Sequence, residues 1–136
     1  MHVWHDTTGR TWTTVINVGT VRRVKALTGR NLLDLAGGEL AGEMMGDPCL
    51  LCDILYAIHK QDADAQGISD EKFAEYLAGD SIEEATDAVM AELIDFFPNS
   101  QRRKLLAEAM RRAKAEEAKA IEGARQELER TATATA

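Results

Sequence analysis

The residues best suited to chemistry are Cys49 and Cys52, spaced as Cys49-Leu50-Leu51-Cys52. Such a CxxC pair does redox work when it opens a helix and a local field stabilises one thiolate. Asp47-Pro48 places it at a helix start, because Asp is a good N-cap and Pro fits the first helical turn. The two intervening leucines and the apolar stretch that follows point elsewhere, to small hydrophobic side chains in a core. Burial is therefore the expectation for both thiols. Zinc would need two more ligands. His59 lies seven residues past Cys52, near the other end of the same helix, and His2 and His5 could converge with anything only through tertiary structure. Structural zinc has tighter ligand spacing than this. No metal and no cofactor is expected.

The other polar groups have plainer roles. Asp53 is an acid in an apolar stretch, and burying a charge is costly unless it is paired. A salt bridge to Arg22, Arg23 or Lys25 is the expectation, with a polar contact for a partner as the alternative. Gly37-Gly38 and Gly79 lack the Lys-Ser/Thr of a phosphate loop and follow no strand. Asp70-Glu71 and Glu83-Glu84 suit the first turns of helices, where acids face the positive end of the dipole. Asp62-Ala63-Asp64 lacks the central Gly and later Glu of a calcium loop. No nucleophile, base and oxyanion donors occur together, so no catalytic residue is assigned and enzymatic activity is not expected. Partner-binding residues are not readable from the residues alone.

These groups must be positioned by a chain of 136 residues, long enough for one hydrophobic core without disulfides or metal. Aromatic residues make up 5%, so aliphatic side chains and Ala must fill that core, which favours helices over a β-sandwich. The net charge of −7 is unevenly spread. Residues 1–100 hold 7 Lys/Arg against 17 Asp/Glu, whereas residues 101–136 hold 9 against 6. An acidic body repels a phosphate backbone, which argues against nucleic acid as a partner. No apolar run approaches the ~20 residues of a membrane helix. The start lacks a basic-then-apolar leader, and two cysteines are too few for a disulfide framework. The expected setting is the cytoplasm, with reduced thiols and no membrane contact.

The pattern predicts a β-hairpin over residues 1–16, with strands around His2–His5 and Thr11–Ile16 and a turn at Asp6-Thr7-Thr8-Gly9-Arg10. A helical body follows over 17–98. Asn17 or Thr20 caps a helix through Leu27, stopped at Gly29. Short helices are predicted near Leu32–Ala36, stopped by Gly37-Gly38, and near Leu40–Met45. Asp47 caps a buried central helix through Lys60, and Gln61–Gly67 reads as a loop. Ser69 caps the next helix. Asp80-Ser81-Ile82-Glu83 has the form of a capping box for another, which Pro98 ends. Asn99 or Ser100 caps a long charged helix over 99–130, whose Ile121 and Leu128 are a heptad apart. Residues 131–136, Thr-Ala-Thr-Ala-Thr-Ala, are expected to be a disordered tail. The predicted core comprises Trp12, Ile16, Val21, Val24, Leu27, Leu51, Ile54, Leu55, Ile58, Phe73, Leu77, Val89, Leu93 and Phe96. The predicted fold class is thus mainly α (α+β), a hairpin packed on a multi-helix body with a long charged C-terminal helix.

The order of these features resembles small tail-assembly chaperones and related tail-module proteins of tailed bacteriophages and prophages. The residues that carry the resemblance begin with Asp6-Thr7-Thr8-Gly9-Arg10-Thr11-Trp12 and Val15-Ile16-Asn17-Val18, leading into Val21-Arg22-Arg23-Val24. They continue through Gly46-Asp47-Pro48, Leu50-Leu51-Cys52-Asp53-Ile54-Leu55-Tyr56 and Gly67-Ile68-Ser69-Asp70-Glu71. Leu77-Ala78-Gly79-Asp80 and Leu93-Ile94-Asp95-Phe96-Phe97-Pro98 complete the set, which spans roughly residues 4–98. The resemblance implies a non-enzymatic chaperone in a bacterial host that binds the tape-measure protein, a long helical client, during tail morphogenesis. It carries over no individual binding residue. Homo-oligomerisation through the hairpin edge or the last helix fits the same pattern. The alternatives are a tail or head-completion adaptor that stays in the virion, and a small cytosolic regulatory binding protein.

Overall fold

A computed structural model describes residues 1–37, 39–97 and 100–134. The chain divides into two compact units, Met1–Pro98 and Asn99–Ala136. The first carries the predicted mixture of one hairpin and several helices.

Strands β1 (His2–His5) and β2 (Thr11–Thr14) pair antiparallel, with Trp4 opposite Trp12. The turn between them is organised by Asp6. Its carboxylate accepts from the Thr8 amide at 2.9 Å, the Thr8 hydroxyl at 2.6 Å, the Arg10 amide at 3.1 Å and the Trp12 indole N–H at 3.0 Å. Gly9, at φ 84°, closes the turn in a conformation that L side chains rarely adopt. Burial raises the Asp6 carboxyl pKa, but the hydrogen bonds from Thr8, Trp12 and Arg10 outweigh it and hold the group below the usual carboxylate value.

Helix α1 (Val18–Thr28) starts at Asn17, whose side chain accepts from the Thr20 amide, while the Thr20 hydroxyl accepts from the Asn17 amide. Both proposed caps therefore act together, as the two halves of one capping box. Gly29, at φ 74°, ends the helix. A 3₁₀ segment (Leu32–Gly37) and helix α2 (Glu39–Gly46) follow. Gly37 closes the 3₁₀ segment as expected, and Gly38 lies outside the described residues. Asp47 caps α3 (Pro48–Ile58) through the amides of Cys49 and Leu50.

α3 is the predicted central helix: α1, α2, α4, α5 and α6 all pack against it. Its Leu51, Ile54, Leu55, Ala57 and Ile58 are buried. Gln61–Ala65, within the segment Gln61–Gly67 predicted as a loop, instead belong to helix α4 (Lys60–Ala65). Ala63 within it and Ile68 just beyond it are buried, so tertiary packing holds a polar segment helical that has little amphipathic pattern of its own. Ser69 caps α5 (Asp70–Glu75) as predicted.

Helix α6 (Asp80–Phe96) begins differently from expectation. No capping box forms. Gly79, at φ 57°, takes the cap position without a side-chain bond, and the Ser81 hydroxyl turns back to the backbone of Ala78. The tight passage out of α5 leaves Asp80 already helical, so its carboxylate is past the cap position. The helix stops just before Phe97 and Pro98, the latter outside the described residues.

Most of the predicted core is buried, with four corrections. Leu27 is 51% exposed, while Val21, Leu77 and Phe96 are half-buried. Phe97 rather than Phe96 turns inward, because the helix ends between them and resets the direction of the next side chain. The core also takes Trp4, Leu32, Leu35, Leu40, Met44 and Ile68, which periodicity did not single out.

The second unit contains α7 (Ser100–Ala134), a helix about 50 Å long. Asn99 lies outside the described residues, and the helix begins at Ser100. It continues four residues past Arg130, so Thr131–Ala134 are helical rather than disordered, and the Thr131 hydroxyl donates to the Glu127 carbonyl. Ala carries high helix propensity and Thr tolerates a helix when its hydroxyl finds a carbonyl. Thr135 and Ala136 lie outside the described residues.

Candidate functional site

The predicted chemical residues do not assemble into one centre. Cys49 is exposed and Cys52 half-buried, both as free thiols, which corrects the expectation that both lie in the core. The reason is visible on the helix: Cys49, Asp53 and Tyr56 recur at intervals of four and three, so they share the solvent side of α3. Burial, together with the negative charge of Asp53, pushes the Cys52 thiol up to about 11, so it stays protonated and a poor nucleophile. Asp53 is exposed, and its desolvation cost never arises. Arg23, one of its expected partners, instead donates to the carbonyl oxygens of Ala57 at 2.7 Å and Ile58 at 2.8 Å. That guanidinium satisfies the C-terminal carbonyls of α3.

His59 is the most consequential polar residue that sequence spacing left unassigned. It sits just past the end of α3 and is 2% exposed. Its Nδ1 lies 2.8 Å from the Leu55 carbonyl oxygen, which can only accept, so Nδ1 carries the hydrogen. Nε2 is then the acceptor for the Trp4 indole N–H at 3.2 Å and the Thr14 hydroxyl at 2.9 Å. One imidazole thereby ties both strands to the central helix. Trp4 and Trp12 stack at 5.9 Å, and Phe73 meets both edge-on. Burial pushes His59 down to about 4, against the Leu55 hydrogen bond that favours the charged ring. It is a neutral structural hub.

Beside this hub, the end of β2, the start of α1 and the α3–α4 junction enclose a groove of about 540 Å³. Thr13, Asn17, Thr20, Arg23, Ile58 and Asp62 contribute to its lining. Val15 also lines it and is exposed, as is Val18 at the start of α1. The lining offers hydroxyls, amides, a guanidinium and a carboxylate beside Val15 and Ile58, a set suited to binding a peptide or a polar side chain. Arg23 is held in place by the two carbonyls, so its remaining N–H groups are pre-positioned.

On the opposite strand, β1 lies along α6. His5 Nδ1 is 2.9 Å from Glu84 Oε1, and His2 Nδ1 is 2.8 Å from Glu92 Oε1. The two histidines therefore reach different turns of one helix and not the cysteines. Asp62 and Asp64 lie on α4, where Lys60 bridges to Asp64. Asp70 and Glu71 occupy the first turn of α5, and Glu83 that of α6, as their charge predicts.

The chain matches no family model, no curated protein and no solved structure. No helix among the described residues is long and apolar enough to cross a membrane.

Proposed function

We propose that this protein is a non-enzymatic assembly chaperone that binds the tape-measure protein during phage tail morphogenesis. The observation that carries the proposal is the apolar surface of α7. Leu105, Ile121 and Leu128 are 67%, 62% and 72% exposed on an otherwise charged helix. Each exposed aliphatic forgoes roughly 1.5–3 kcal/mol of burial, so a helical client that covers Ile121 and Leu128 gains a matching driving force. Ile121 and Leu128 stand a heptad apart and so project in nearly the same direction. The acidic 1–98 unit keeps such a complex soluble. The groove beside Arg23 supplies a second, polar contact surface.

The test is co-expression with a long helical tape-measure candidate, followed by size exclusion of the soluble fraction. Client solubility and co-elution support the chaperone, and the double variant Ile121→Lys/Leu128→Lys is expected to abolish both while the body stays folded. An insoluble client beside a monodisperse protein eluting alone would sink the proposal. Recovery of the protein in finished particles would instead favour a structural adaptor.

A further inference from the structure

We propose that His2, Glu92 and Asp95 form a binding site for a divalent transition-metal ion of the zinc class. One donor atom from each lies within 4.8 Å of the others. Zinc–ligand bonds to nitrogen and carboxylate oxygen are about 2.0–2.2 Å, so two donors on one ion can be at most about 4.4 Å apart. The side chains thus need only a rotamer adjustment to close on an ion. Two elements supply them: Glu92 and Asp95 stand one turn apart on α6, and His2 is held over them by β1. A second pin, His5 on Glu84, fixes the strand along the same helix.

The local charge favours a cation. Glu92 is buried and directs Oε1 to both His2, at 2.8 Å, and the Met1 ammonium, at 2.7 Å. Asp95 adds a second carboxylate, and no described side chain pairs with it. Both acids lie in the last two turns of α6, where the free carbonyl ends of the helix are negative and no basic residue offsets them. A divalent ion takes the place of the hydrogen between His2 Nδ1 and Glu92, and the neutral imidazole then carries its hydrogen on Nε2. One imidazole and two carboxylates form a donor set suited to Zn²⁺, Co²⁺ or Ni²⁺ rather than to calcium, which takes oxygen ligands.

The experiment is isothermal titration of Zn²⁺ into the tag-free full-length chain, with Co²⁺ visible absorption as a second readout. A single saturable site is expected. Loss of a group that merely orients a ligand costs 10–100-fold, so Asp95→Asn and His2→Gln should each weaken binding by roughly 100-fold. Asp95 is exposed, so Asp95→Asn keeps its circular dichroism and thermal midpoint, and His2→Gln retains a hydrogen-bonding group toward Glu92. Cys49→Ser/Cys52→Ser should bind as the parent does. The proposal is overturned if no saturable binding occurs. It is equally overturned if binding persists in Asp95→Asn and disappears in the cysteine variant.

Discussion

The two units of this chain keep their apolar side chains in opposite places. In Met1–Pro98, Trp4, Trp12, Phe73, Ile54, Leu55, Val89 and Leu93 are sealed inside, and even the polar groups among them, Asp6, Thr14 and His59, are fully bonded. In α7, the large aliphatics Leu105, Ile121 and Leu128 face solvent, and the ion pairs Glu108–Arg112, Arg125–Glu129 and Glu127–Arg130 are local. The first unit is held by contacts between elements distant in sequence. The second is held by helix propensity and pairs three or four residues apart, each of which contributes only a few tenths of a kcal/mol. A substitution should therefore cost stability in the body and, under the proposed function, client binding in the helix.

The largest expected effect is at the aromatic hub. Trp4→Ala removes a fully buried ring and its hydrogen bond to His59, and should destabilise the body by about 3–5 kcal/mol in denaturant unfolding. A loss below about 0.5 kcal/mol would show that the hairpin is not part of the core. Next comes pH. His59 binds a proton less readily folded than unfolded, so its stabilisation is complete above the unfolded value near 6.5 and is lost as pH falls toward about 4. The loss should approach roughly 3 kcal/mol across that window. His59→Gln should flatten the profile there; an unchanged profile would assign the acid sensitivity to carboxylates.

Asp6→Ala ranks third. It strands donors on Thr8, Arg10 and Trp12, at about 1–3 kcal/mol, read from the shift in thermal midpoint. The smallest effect on folding should come from Ile121→Lys in α7, within about 0.5 kcal/mol by the same denaturant titration. The comparison between the units is sharpened if that variant unfolds like the parent yet no longer co-elutes with the client. It is broken if Ile121→Lys destabilises the protein as Trp4→Ala does.

Much of the fold was legible along the chain. Asp47-Pro48 and Ser69 marked helix starts because capping is local chemistry, satisfied within three residues. The apolar density of residues 50–58 marked α3 as central. The exposure of Cys49 was also readable, since it shares a stripe with Asp53, but the leucines between the cysteines dominated the pattern. The capping box at Asp80 failed because the route out of α5 decides which residue is helical first, and that route is tertiary.

The candidate sites were far less legible. His2 and Glu92 are 90 residues apart in the chain, Thr14 and His59 are 45 apart, and Arg23 reaches carbonyls 34 and 35 residues away. By itself, the sequence determined the starts of α1, α3 and α5, the hairpin turn, the acidic body and the long charged helix, because each follows from propensities and periodicities acting over a few residues. Only the tertiary structure decided that a histidine would be a buried acceptor for Trp4 and Thr14, that an arginine would cap α3, and that a strand histidine would meet two acids on α6. Those contacts depend on how elements cross in space, which no local pattern records.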